Sequence, residues 1–163
     1  MTTQAPYRHR QRAALTSDAS FLQRLFTDDR RPMLTAAGLT RATLDGLLAM
    51  QWRAQRASHA RMHPQPLDSI IEVGGRAVGR VLIDRAADRT HLVDIALLPE
   101  WRGRGIGTAV VQDLISDARS RGDAVTLSVA RDNDRAVRLY RRLGFVDDEA
   151  CTPSATYTAL RCT

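Results

Sequence analysis

The chain has 163 residues, 44% hydrophobic and 26% charged, which fits one soluble globular domain spanning residues 1–163. Its net charge of +6 comes wholly from scattered arginines, and aromatics make up only 5%, so the clustered basic face of a nucleic-acid binder is not expected. No apolar run reaches membrane-spanning length and the opening MTTQAPYRHRQR lacks a secretory signal's apolar stretch, so a cytoplasmic protein without membrane contact is expected.

Lysine is absent, which excludes acylation of the protein's own side-chain amines. Arginine-favouring base composition is the simplest source of that bias. The two cysteines, Cys151 and Cys162, could pair but imply no disulfide framework.

Residues 8–15 read as a short, weakly patterned strand. Ser17 or Asp18 can then cap a helix carrying Phe21, Leu22, Leu25 and Phe26, which Arg31-Pro32 is expected to end. A second helix starts near Thr40 or Thr43, carries Leu44, Leu47, Leu48, Met50 and Trp52, and fades near His59 before the Pro64 and Pro66 loop. Residues 69–73 and 77–83 flank Gly74-Gly75, a hairpin signal. Residues 91–98 are almost wholly apolar, as in a central strand buried on both faces.

A helix with Val110, Val111, Leu114, Ile115 and Ala118 on its apolar stripe follows and closes at Gly122. Val125, Leu127 and Val129 alternate on the next strand. Asp132 or Asn133 caps a short helix that ends at Gly144, and Phe145-Val146 and residues 154–160 close the sheet. The expected fold is α/β (α+β), a mixed, mostly antiparallel central sheet flanked by helices.

Between the apolar strand and the third helix lies Leu97-Leu98-Pro99-Glu100-Trp101-Arg102-Gly103-Arg104-Gly105-Ile106-Gly107. Alternating glycines let backbone N–H groups turn toward a ligand, and the first N–H groups of the helix have no internal partner. Arg102 and Arg104 add positive charge beside them. The arrangement suits a phosphorylated ligand. A tight strand–helix turn without a ligand is the alternative reading of the glycines alone.

A second block follows some thirty residues later: Asn133-Asp134-Arg135-Ala136-Val137-Arg138-Leu139-Tyr140-Arg141-Arg142-Leu143-Gly144-Phe145. Together the blocks closely resemble the GNAT superfamily of acyl-CoA-dependent N-acyltransferases. They match its Arg/Gln-x-x-Gly-x-Gly/Ala loop and its Asn-x-x-Ala-x-x-x-Tyr-x-x-x-Gly-Phe helix, in that order. The resemblance is strong from Asp94 to Phe145 and only in outline before it.

The resemblance implies that Arg102, Gly103, Arg104, Gly105, Ile106, Gly107 and Thr108 hold the pyrophosphate of acetyl-CoA. It implies that Ile95, Ala96 and Leu97 pair with the pantetheine arm, on a strand splayed from residues 125–129. By the same resemblance, Asn133 bonds the pantetheine and Tyr140 acts on the leaving thiolate. Dimers are common in this family, so a homodimer is compatible with the chain.

Asn133 and Tyr140 are two helical turns apart on one face, separated by about 10 Å along the axis. Asn133 as a plain helix cap, and Tyr140 as a packed ring with its hydroxyl on a carbonyl, remain open. No glutamate stands where many relatives carry a base; Ser128 occupies one such position. His91 and Asp94 share the central strand and, by strict alternation, face opposite ways. Proton removal through water is therefore the default. Gln51, Gln55 and His91 are candidate acceptor contacts, and Asp147-Asp148-Glu149 could steer a cationic amine. His59 and His63 lack a third ligand, so no metal is expected.

The reading is an N-acetyltransferase moving acetyl from acetyl-CoA to a primary amine of a small molecule, or to a protein N-terminus, by direct attack in a ternary complex. The alternative is a non-catalytic acyl-CoA sensor.

Overall fold

The computed structural model describes residues 8–36, 38–152 and 154–163. The elements in order are β1 (His9–Ala13), a 3-10 turn (Thr16–Asp18), α1 (Ala19–Thr35), α2 (Arg41–Met62), β2 (Leu67–Val73) and β3 (Arg76–Arg85). They continue with β4 (Arg89–Leu97), a second 3-10 turn (Pro99–Trp101), α3 (Ile106–Arg121), β5 (Ala124–Ala130), α4 (Asp134–Arg142), β6 (Val146–Asp147) and β7 (Tyr157–Cys162). One seven-stranded sheet runs β1-β2-β3-β4-β5-β7-β6. Among the described residues, only β4 and β5 pair in parallel; every other neighbouring pair is antiparallel.

The main core lies between the sheet and α3, with Ile83, Leu92, Val110, Val111, Leu114, Leu127 and Phe145 in one apolar cluster. The opposite face of β3 presents Arg80, Leu82 and Asp84, since alternate strand residues point the same way. That face meets α1 and α2, which are joined by Phe26, Leu44 and Leu48, with Trp52 packed on Phe26 at 5.2 Å between ring centroids.

Several boundaries differ from the sequence expectation. Asp18 stands at the N-cap position of α1, but its side chain does not bond that helix: the carboxylate accepts from the Leu15 backbone N–H at 2.8 Å and from Arg12, serving the 3-10 turn. Pro32 lies inside α1 rather than ending it, and Thr35 Oγ1 donates to the Arg31 carbonyl at 2.8 Å in the last turn. Thr40 caps α2 through Thr43 N, but the helix runs on to Met62. The last strand starts three residues later than expected because Ser154 Oγ accepts from the N–H groups of Thr156 and Tyr157, bending the chain there. Cys151 is exposed and Cys162 buried, both as free thiols.

β4 is also not buried along its length. Thr90 and Leu92 are buried, whereas residues 93–97 are half-buried. Its ladder with β5 explains this. Pairing runs from Arg89↔Ala124 to Leu92↔Leu127 and then stops, although both strands continue. Beyond Leu92 the two strands part and one backbone edge of β4 faces an opening.

Candidate active site

The divergence of β4 and β5 opens a cleft of about 860 Å³, in the size range of small-molecule sites. Its walls come from both faces of the sheet: α1 and α2 on one side, the glycine turn, α3 and α4 on the other. Ile95, Ala96 and Leu97 lie along it, so the expected splay of the strands is present.

At the mouth, Gly103 has φ +73° and Gly105 φ +81°, a left-handed backbone that side chains adopt at a cost. Gly105 is the N-cap of α3 and, among the described residues, no side chain caps that end. The first helical N–H groups therefore keep their hydrogen-bonding capacity and sit at the positive end of the helix. Gly103, Gly105, Ile106, Gly107 and Thr108 all line the cleft.

The two expected arginines also have partners within the chain. Arg102 donates from Nε to the Leu97 carbonyl at 2.9 Å and from Nη2 to Asp29 on α1 at 2.9 Å. It ties the turn to α1 while still lining the cleft. Arg104 lies over the Trp101 ring at 5.2 Å and is not part of the cleft wall. Arg135, which the sequence did not single out, reaches across instead. A Cβ added to Gly103 would stand 3.6 Å from its Nη2.

Asn133 caps α4, its Oδ1 accepting from Ala136 N at 3.2 Å, and it also lines the cleft. Capping engages the oxygen, and among the described residues the Nδ2 donors make no hydrogen bond. Tyr140 is 7% exposed, packs edge-on against Phe145 at 5.5 Å and lines the same cleft. Among the described residues its hydroxyl makes no hydrogen bond, so it is not tied to a carbonyl. Burial first, and the Asp94 charge second, push its pKa up to about 12. The phenol stays protonated.

On the α1–α2 side, β4 carries a bulge. Leu82 pairs with Asp94 but Ile83 pairs with Leu92, leaving Val93 as an extra residue. The bulge puts His91 and Asp94 on one face, not on opposite faces. His91 nonetheless lies outside the cleft: its Nδ1 is 2.9 Å from Thr126 Oγ1 and its ring stacks on His63 at 5.8 Å. Burial holds the His91 pKa below the usual imidazole value, with the His63 charge adding to it.

Asp94 does line the cleft. Burial pushes its carboxyl above the usual range, against the opposing pull of Arg80, 3.9 Å away. Arg80 is itself committed to Asp68 through two bonds of 2.7 and 2.8 Å. His59, on α2, is held below its usual pKa by burial. Of the two candidate glutamines, Gln55 lines the cleft and Gln51 does not. The acidic run is elsewhere: Asp147 pairs with Arg141 at 2.6 Å, and Asp148 Oδ1 accepts from Ala150 N. Among the described residues, no group of three or more His, Cys, Asp or Glu is placed to hold a metal ion. None of the described helices is long and apolar enough to cross a membrane.

With this geometry in hand, known proteins give a consistent frame. The Acetyltransferase (GNAT) family profile matches residues 24–145, and the chain belongs to this family. It is 35% identical over 88 residues to an uncharacterised N-acetyltransferase of Methanocaldococcus jannaschii, a match covering 49% of this chain and 39% of that protein. The chain thus spans about two fifths of that relative's length. The structure is similar to that of the PaiA N-acetyltransferase of Thermoplasma acidophilum in complex with coenzyme A, at TM-score 0.69 and 13% identity over 94% of this chain and 98% of that one. A GNAT family acetyltransferase from Elizabethkingia anophelis with acetyl-CoA bound matches at TM-score 0.59 and 12% identity over 97% of this chain and 98% of that one. At these identities the likeness is one of fold.

Proposed function

We propose that the chain is an acetyl-CoA-dependent N-acetyltransferase acting on a primary amine of a small molecule by direct attack. The observation that carries this reading is the one cleft shared by the uncapped start of α3, the unpaired edge of β4 and the free Tyr140 hydroxyl.

The N–H groups at Gly105, Ile106, Gly107 and Thr108 would take the diphosphate of acetyl-CoA, with Arg135 adding charge in place of Arg104. Residues 95–97 would pair with the pantetheine arm as an added strand, and Asn133 Nδ2 would donate to it. Acetyl-CoA supplies an activated thioester: the amine nitrogen attacks its carbonyl carbon, an amide forms, and the C–S bond breaks to release coenzyme A.

The attacking amine loses a proton on the way, and Asp94 is the acceptor for it. Burial has already raised its affinity for a proton, which suits a base better than an ordinary carboxylate. Tyr140 faces the leaving sulfur. With its pKa near 12 against about 8.5 for a thiol, full proton transfer is uphill by about 5 kcal/mol. Its role is therefore to hold the departing thiolate by a hydrogen bond, while the proton that leaves with the thiol comes from the amine.

The test is thiol release from acetyl-CoA by the purified protein over a panel of primary amines. Amine-dependent release supports the reading. Tight acetyl-CoA binding with no release across the panel would make the protein an acyl-CoA sensor.

A further inference from the structure

We infer that the acceptor is a free α-amino acid, held with its ammonium between Asp94 and Gln55 and its carboxylate against Arg30. This rests on the transferase reading above and names the substrate class of the same site.

Gln55 gives the first observation. Among the described residues, its Oε1 is the buried side-chain polar atom left without a hydrogen-bond partner. A buried acceptor with nothing to accept is costly in a finished fold, so such an atom marks a place where a donor is meant to arrive. Gln55 lines the cleft one turn after Trp52, whose ring packs on Phe26, on the wall opposite the glycine turn. An N–H of the acceptor amine supplies that donor. Asp94, on the neighbouring strand, supplies the negative charge that an ammonium needs before its proton is removed.

Arg30 gives the second. Its guanidinium lies 3.9 Å over the Phe26 ring, which fixes its plane in the cleft wall. Among the described residues it makes no hydrogen bond, and its ion pair with Asp29 is long at 3.7 Å, while Asp29 also bonds Arg102 at 2.9 Å. The other arginine near Asp94, Arg80, is occupied by Asp68. Arg30 is thus a positioned guanidinium with its donors available, suited to a carboxylate.

The charge nearest the acceptor decides between amine classes. Of the five arginines lining the cleft, Arg80 is bonded to Asp68 and Arg102 to Asp29, and Arg135 is assigned to the diphosphate. A polyamine would set a further cation beside Arg30. An amine carrying its own carboxylate offsets the Arg30 charge, and the two ends match Asp94 and Arg30.

The experiment is thiol release from acetyl-CoA with matched sets: L-amino acids, the carboxamides of the same amino acids, the corresponding decarboxylated amines, and spermidine. The wild-type protein is expected to show at least a tenfold higher kcat/KM for the acid than for its carboxamide. Arg30→Ala should abolish that preference, Arg30→Lys should keep part of it, and Arg30→Glu should turn it toward the decarboxylated amines. Gln55→Leu should raise KM for every acceptor. Acetyl-CoA affinity should be unchanged in all four, which also certifies that the cleft is folded. Carboxamides or polyamines used as well as the acids, or a preference surviving Arg30→Ala, overturn the inference and leave the transferase standing. No thiol release with any member, despite acetyl-CoA binding, overturns both. The wild-type comparison needs no variant, so misfolding of one cannot obscure the answer.

Discussion

His91 and Asp94 lie on the same face of β4, because the extra residue Val93 breaks the alternation between them. The two then diverge in use. His91 is taken by Thr126 and His63, outside the cleft, while Asp94 stands in it with a carboxyl that burial keeps above its usual range.

Asp94→Asn should lower kcat by about 10²- to 10⁴-fold if the carboxylate takes the amine proton. Its effect on stability has the opposite sign. A carboxyl whose folded pKa is raised stabilises the fold at low pH and loses that contribution as pH rises through the folded value. Above that folded value the ionised side chain is a burden, and there Asp94→Asn should unfold at the same or a higher temperature. Thermal melts beside the kinetics check this: unchanged kcat would remove Asp94 from proton transfer.

Tyr140→Phe should cost about 10²-fold or more in turnover while acetyl-CoA affinity stays put, because the hydroxyl is needed only as charge grows on sulfur. The ring's packing on Phe145 is retained by phenylalanine. With the phenol pKa near 12, the alkaline limb of the pH profile should not carry a tyrosine titration between pH 7 and 10. Equal turnover in the variant would return Tyr140 to a packing role.

Gly105→Glu should abolish acetyl-CoA binding measured by calorimetry. Its φ of +81° already strains any side chain, by about 1–2 kcal/mol, and the carboxylate would repel the diphosphate. Gly105→Ala separates the effects, since a Cβ there meets no protein atom within 4 Å. It should weaken binding far less than glutamate does.

Gly79→Ala should destabilise the protein by about 1–3 kcal/mol through overpacking. A Cβ at Gly79 would collide with the Ala96 carbonyl, and backbone cannot swing aside as a side chain does. β4 would be pushed where its other edge forms the cleft wall, so acetyl-CoA affinity should fall with the melting temperature. Denaturant unfolding and ligand titration report the two separately.

The parts of this architecture readable from sequence are those that neighbouring residues determine. The bend at Gly103 and Gly105 follows from their left-handed backbone, and the start of α4 from Asn133 bonding three residues ahead. Spacing alone then put Tyr140 two turns along. What escaped depends on distant partners. Val93 is a bulge only against the register of β3, which β4's own apolar pattern does not encode. Nothing next to Arg102 announces its bond to Asp29, 73 residues earlier. The pairing of Gln51 with Gln55 used the right helical spacing on the wrong stripe. Trp52, Gln55 and His59, spaced i, i+3 and i+7, were the signal for the face turned inward.

The Arg12–Asp18 pair makes the acid limit of the fold testable. Arg12 bonds Asp18 twice, at 2.7 and 2.8 Å, and Glu72 at 2.7 Å, linking β1, β2 and the entry to α1. The Arg12 guanidinium, with the Leu15 N–H, holds the Asp18 pKa at about 2, below its ordinary 3.8. A depressed carboxyl stabilises above the unfolded value, and the contribution drains away as pH falls from 3.8 toward 2. Asp18→Asn should therefore melt lower than wild type at neutral pH, and the two melting curves should converge across that interval. Added salt should narrow the neutral-pH gap, because the pair lies near solvent. Melting temperatures that stay parallel from neutral pH down to pH 2 would mean that Asp18 contributes nothing through its charge, leaving only its bond to the Leu15 N–H.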